Sequence, residues 1–273
     1  MRNRGSLLLT GLLWFGLAHH ALADDKNVVI YKVRDGQTIY LVAKMNHCSE
    51  ATITVTGAPK NLVSSVPLPF TVEMAGQKQK VLTVFKPIDP NAPCSCNGEF
   101  FWKYGSRLHG EPKPYAYALP YRGSAYRVIQ GPHGTFTHLT GSQDEEAIDW
   151  AMPAGVKIYP ARPGTVVGFR SDCSEGAPDP KLIEDYNYVI IKHDDGTFAE
   201  YLHLKKDGVL VHLGDRVTLD QPIALSGNTG FTTEPHLHFA VFYTLDGSRR
   251  KTLPVTFKGN NGESFQPEEG KFY

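Results

Sequence analysis

Glu234-Pro235-His236-Leu237-His238-Phe239-Ala240-Val241-Phe242-Tyr243 is the stretch on which the reading of this chain turns. It joins a His-x-His pair to a run of apolar and aromatic residues. Side chains two apart on a β-strand share a face. His236 and His238 therefore project together, while Leu237 and Phe239 turn the other way, into a core. Neutral imidazole is the commonest protein ligand for zinc. Two surface histidines on an edge strand would show the same pattern, so partners elsewhere in the chain must decide.

At 273 residues the chain has room for one large domain or two modest ones. Its 28 Lys and Arg balance 28 Asp and Glu, which leaves no electrostatic case for a nucleic acid or another polyanionic partner. The N-terminus reads as a secretory signal over residues 1–23. Arg2 and Arg4 precede an apolar run from Leu7 to Ala18, and Ala21-Leu22-Ala23 supplies a small-x-small cleavage site. The apolar run is short for a bilayer span, and no later segment is apolar enough to cross. The expectation is an exported protein, periplasmic or extracellular, with no membrane span after signal cleavage. Four cysteines follow, Cys48, Cys94, Cys96 and Cys173. An even count in an oxidising compartment suggests disulfides, and four thiols allow three connectivities. Cys48 with Cys94 or Cys96 is the natural pairing, because a Cys94–Cys96 ring would be very tight. The partner of Cys173 is left open.

Residues 24–118 read as short strands, at 28–33, 38–42, 51–56, 70–74, 80–85 and 99–104, punctuated by Pro and Gly at intervals typical of a β-sandwich. No catalytic constellation lies there, and the segment is expected to be an accessory domain. Gly110-Glu111-Pro112-Lys113-Pro114-Tyr115 reads as a linker. The pattern is again all β over 119–258, with strands at 147–151, 156–160, 164–170, 188–193, 197–204, 209–213, 223–226 and 236–243. Gly-containing turns separate most of them. Residues 171–186 are too long for a hairpin and read as a surface loop near the site. Residues 259–273 are left as a C-terminal tail.

Three further elements join the His-x-His pair. In Ala147-Ile148-Asp149-Trp150-Ala151, strand alternation sends Ile148 and Trp150 one way and Asp149 the other, beside small alanines that leave room for a metal or substrate. In Glu200-Tyr201-Leu202-His203-Leu204 a histidine again has apolar flanks. Ser226-Gly227-Asn228-Thr229-Gly230-Phe231 is a Gly-rich turn leading straight into the His-x-His strand.

Taken together these pieces resemble the LytM/lysostaphin-type zinc metallopeptidases that cut peptidoglycan peptides. The resemblance covers roughly residues 126–258. It runs through Ala-Ile-Asp-Trp-Ala-Met-Pro-Ala-Gly at 147–155, Ala-Arg-Pro-Gly-Thr-Val at 161–166, Asn-Tyr-Val-Ile-Ile-Lys-His-Asp-Asp-Gly-Thr at 187–197, Tyr-Leu-His-Leu at 201–204, Gly-Asp-Arg-Val at 214–217 and Ser-Gly-Asn-Thr-Gly-Phe-Thr-Thr-Glu-Pro-His-Leu-His-Phe at 226–239. It implies an antiparallel-sheet catalytic domain behind the β-sandwich-like accessory domain. It also implies one Zn²⁺ per catalytic site, with Asp149 and His238 as ligands and His203 and His236 as catalytic partners. The substrate implied is a peptidoglycan peptide stem or cross-link. Three protein ligands and an open position describe a catalytic zinc rather than a structural one.

One position departs from that family's pattern, which places its first ligand four residues before the Asp. Here that residue is Glu145. The nearest upstream histidine is His138, in Phe136-Thr137-His138-Leu139, and it is expected to complete the ligand set. Glu145 and His133 are the alternatives. A chain that has lost its first ligand would instead be a degenerate relative, binding or regulating other cell-wall hydrolases.

Overall fold

The computed structural model describes residues 3–10, 20–24, 27–46, 48–76, 78–259 and 262–273, with side chains from Asn27 onward. Of the segment read as a signal, residues 1–2 and 11–19 lie outside the described residues. Among the described residues the elements are strands, apart from a single 3-10 turn at Pro180–Leu182. No helix of that set is long and apolar enough to cross a membrane.

The chain divides into two compact units, residues 1–107 with 244–249, and residues 108–243 with 250–273. In the first, two five-stranded sheets form. One includes Glu50–Val55, Phe70–Ala75 and Ser95–Tyr104, and the other Val28–Asp35, Thr38–Met45 and Gln79–Pro87. Their inner faces share one core, in which Val28, Ile30, Ile39 and Leu41 meet Ala51, Ile53, Phe100 and Trp102. Two sheets facing one another across a shared core is a sandwich arrangement. The hairpin between the strands expected at 28–33 and 38–42 turns at Asp35–Gly36, with Asp35 opposite Thr38 and Gly36 at φ +56°. No disulfide joins any two of the four cysteines, so the expected pairing of Cys48 with Cys94 or Cys96 is not formed.

In the second unit an eight-stranded sheet runs Arg127–Gln130, Ile148–Ala151, His236–Thr244, Phe198–Leu202, Tyr188–Lys192, Gly164–Arg170, Arg216–Val217, with Arg250–Leu253 also on His236–Thr244. Its central pairs are antiparallel. The register sorts its residues by face. Ile148 opposes Phe239, Trp150 opposes Leu237 and Tyr201 opposes Phe239. All five are fully buried in a single core, joined by Ile158, Leu204 and Ala224 from a three-stranded sheet and by Phe257. On the other face Asp149 opposes His238, Ala151 opposes His236, and Gln130 opposes Asp149. One face is filled, and the other collects polar side chains.

Two local readings change. Residues 209–213 carry the alternation of a strand, but the strand lies at Leu204–Val209. Val211 still packs into the core, while Leu210 and Leu213 are exposed loop residues whose spacing imitates alternation. The strand expected over 197–204 stops at Leu202, and His203 follows with φ +61°. Alternation would have sent His203 to the core side with Tyr201; the left-handed residue breaks it.

Candidate metal centre

His138, Asp149 and His238 bring one ligand atom each within 4.8 Å of one another, and all three are buried. Adjacent strands place two of them. Asp149 and His238 are a cross-strand pair, and His238 Nδ1–H donates to Asp149 Oδ1 at 2.9 Å. His138 comes from the loop after Arg127–Gln130. Gln130 folds that loop: its Oε1 accepts from the backbone N–H groups of Phe136, Thr137 and His138 at 3.2, 2.7 and 3.3 Å. Its Nε2 donates to Asp149 Oδ2 at 3.0 Å. A single amide thus ties loop and strand together.

Hydrogen-bond chemistry assigns the histidine tautomers, because a carbonyl can only accept. His138 Nδ1 lies 3.2 Å from the Gly131 carbonyl and so carries the proton. Its Nε2 is then a bare lone pair, wholly buried and without a hydrogen-bond partner, 3.4 Å from Asp149 Oδ2. Two acceptors facing each other in a buried site repel unless a cation lies between them. This donor set, one carboxylate and two imidazoles, fits zinc. Burial alone would push the Asp149 carboxyl up. The charge on His238 and its hydrogen bond overcome that and hold it well below the usual range. Burial would likewise lower His238, but Asp149 and Glu200 raise it to about 10.

Beside this group stands a second histidine pair. The rings of His203 and His236 lie 4.5 Å apart, and His203 is 6.1 Å from the His238 ring. His203 Nδ1–H donates to the Thr229 carbonyl at 2.7 Å, and His236 Nδ1–H to the Glu234 carbonyl at 2.7 Å. Each ring keeps Nε2 as its lone pair. Burial first, and then the nearby His236 and His238, pull His203 down to about 3, which keeps it neutral. The strained φ at His203 is of the kind that gathers at functional sites.

The Gly-rich turn does the holding. Thr229 supplies the carbonyl for His203, and Thr232 Oγ1 lies 3.1 Å from His236 Nδ1. The loop of residues 171–186 is tied to this turn, because Gly176–Ala177 pairs with Gly230–Phe231. A side chain at Gly176 would collide with the Asn228 carbonyl.

All five expected site residues therefore lie in one neighbourhood. The alternatives do not join them. Glu145 pairs with His133, Nδ1 to Oε1 at 3.2 Å, on the outer side of the loop. Residues that sequence reading passed over also appear. Gln130 has no motif, and only its place opposite Asp149 reveals it. Glu200 sits on the His238 face, because it opposes Ala240 two residues along. Strand alternation from His238 would have found it. Arg250 and Asp144, which bind one another, carry no sequence signal at all.

Residues 143–251 match the model of Peptidase family M23. The match begins after His138. An uncharacterized metalloprotease of Buchnera aphidicola subsp. Baizongia pistaciae is 37% identical over 118 residues, covering 42% of this chain and 28% of that protein. Peptidoglycan DD-endopeptidase ShyA of Vibrio cholerae is 42% identical over 91 residues, covering 33% of this chain and 18% of its own length. The matched stretches are thus less than a third of either curated relative. Among solved structures, a zinc-containing peptidase from Vibrio cholerae aligns over 86% of this chain and 83% of its own, at 18% identity and a TM-score of 0.37.

Proposed function

We propose that the protein, whose residues 143–251 match the model of Peptidase family M23, is an exported zinc endopeptidase that hydrolyses peptide bonds in peptidoglycan stems or cross-links. The observation that carries this is the bare Nε2 of His138 facing Asp149 beside His238. A degenerate relative would have no reason to retain a buried, mutually repelling donor set. His138, Asp149 and His238 would hold the zinc. When bound, zinc polarises the scissile carbonyl and makes water a nucleophile near neutral pH.

The remaining work falls to the second histidine pair. With Nδ1–H fixed on the Thr229 and Glu234 carbonyls, His203 and His236 each offer Nε2 to the reacting groups. One ring accepts the proton of the attacking water. A ring so protonated then hands a proton to the leaving amine. The fixed Nδ1 bonds set ring orientation in advance, so little reorganisation is needed during reaction.

The test is digestion of purified peptidoglycan by the protein lacking residues 1–23, with fragments separated by chromatography and mass. Release of new peptide ends that stops on chelation and returns with zinc is expected. Zinc uptake without any fragment release would leave a binding or regulatory role in its place. Equal cleavage of an unrelated unfolded protein would remove the peptidoglycan assignment.

A further inference from the structure

The site contains a largely buried cation that the chemistry above does not use. Arg250 donates to both carboxylate oxygens of Glu200, at 2.6 Å each, and also to Asp144. Glu200 is on the central strand Phe198–Leu202, and its Oε1 lies 3.5 Å from His238 Nε2. That Nε2 has no hydrogen-bond partner. Asp144 is in the segment between His138 and Asp149, where the spacing departs from the family resemblance. The same segment is pinned again where the Glu146 N–H donates to Thr252 Oγ1 at 3.2 Å.

Asp144, Glu200 and His238 could themselves be taken for a metal group. The guanidinium already occupies that place, since its fork donates to both acids and offsets one of their two charges. The geometry points instead to Glu200 and Arg250 as positioning residues for the zinc, an inference that rests on the zinc reading above. His238 Nε2 faces Glu200 Oε1 at 3.5 Å without bonding to it in the metal-free protein. Once Nδ1, which now donates to Asp149, gives up its proton to a metal, Nε2 keeps the ring's N–H. Glu200 is placed to accept from it, a carboxylate–histidine–metal arrangement. Arg250 fixes Glu200 and, through Asp144, the loop that carries His138. One cation thereby supports both imidazole ligands. It supplies by side-chain bonding what a His-x-x-x-Asp strand supplies by proximity in sequence. Burial opposes the charge on all three groups. Even so, the acids are held below their usual range and the guanidinium above its own, as expected of a bonded set.

The test measures zinc affinity of the full chain by competition with a chromophoric chelator, together with the visible spectrum of the cobalt-substituted protein. The variants are Asp144→Asn, Glu200→Gln, Arg250→Lys and the double Glu200→Gln/Arg250→Met. The double variant removes both buried charges together, so neither is stranded. Its zinc affinity is expected to fall about 10–100-fold, with an altered cobalt spectrum. Asp144→Asn should lose less, and Arg250→Lys should recover part of the loss. A purely structural role would lower the melting temperature of chelator-treated protein and leave the affinity of the folded fraction unchanged. If the unmutated protein binds zinc while the double variant and Asp144→Asn bind it within twofold as well, the inference is wrong and the zinc reading stands. Should the double variant not fold, the two single acid variants decide by the same criterion. An unmutated protein that takes up no zinc removes both readings.

Discussion

Replacing His138 with alanine separates metal binding from packing. In zinc-free protein the ring contributes one hydrogen bond, to Gly131 at 3.2 Å, worth about 1 kcal/mol. Its Nε2 opposes Asp149 Oδ2, so deleting it also removes a repulsion. The zinc-free variant should therefore differ from the parent by only about 1–2 kcal/mol, part of it from the cavity left behind. Zinc reverses the balance. A protein zinc site is worth about 10–16 kcal/mol, and an equal share for one of three donors is roughly 3–5 kcal/mol. That is an affinity loss of at least about a hundredfold. Free zinc at a hundred times the parent's Kd stabilises the parent by about 2.7 kcal/mol, but the variant by about 0.4 kcal/mol or less. At roughly 2–4 °C per kcal/mol, the zinc-dependent rise in Tm should fall from about 5–10 °C to about 1 °C. Calorimetry with zinc and with chelator reads both numbers. Glu145→Ala should keep the full rise, because Glu145 is spent on His133. A His138→Ala protein with an undiminished zinc shift would refute the ligand assignment.

Four other outcomes can be checked. His193 is buried, its Nδ1–H donates to the Pro163 carbonyl at 3.0 Å, and burial is the main cause that depresses it to about 4. The unfolded chain protonates it near 6.5 and the folded chain only near 4. Stability contributed by the neutral ring is thus complete above about pH 6.5 and lost as pH falls to about 4, by about 3 kcal/mol. Urea unfolding of His193→Asn should show that part of the acid limb flattened, and an unaltered limb would contradict the linkage. Thr232→Val removes the hydroxyl beside His236 Nδ1, so kcat should drop about tenfold or more with zinc affinity unchanged. Gly176→Ala forces a methyl group onto the Asn228 carbonyl; a loss of about 2 kcal/mol or more and a weakened Gly-rich turn are expected in thermal unfolding. At His203, φ +61° is costly for any residue with a Cβ. His203→Gly should be inactive yet more stable than His203→Ala by about 1 kcal/mol, and equal stabilities would show that the strain is not stored there.

How much of this was legible beforehand depended on whether a residue's neighbours were set by strand periodicity or by loop and side-chain bonding. Asp149 and His238 were legible because period-2 alternation sends Ile148, Trp150, Leu237 and Phe239 into the core and leaves only one face for the other set. The same rule failed at His203, since a single left-handed residue reverses its side and no pattern of residue types announces that. His138 was reachable as the nearest upstream histidine, but chemistry alone did not separate it from Glu145. What separates them is Gln130, which draws the backbone of residues 136–138 toward Asp149 while Glu145 turns out to meet His133. Arg250 was invisible for a similar reason. Its partners Asp144 and Glu200 lie 106 and 50 residues away in sequence, and a buried arginine looks like a surface one until its carboxylates are found. Strand periodicity therefore places the ligands that belong to the sheet. The ligand that belongs to a loop is placed by amide and guanidinium bonds across the sheet, so the eleven residues from His138 to Asp149 need Gln130 and Arg250 in a way that a His-x-x-x-Asp strand would not.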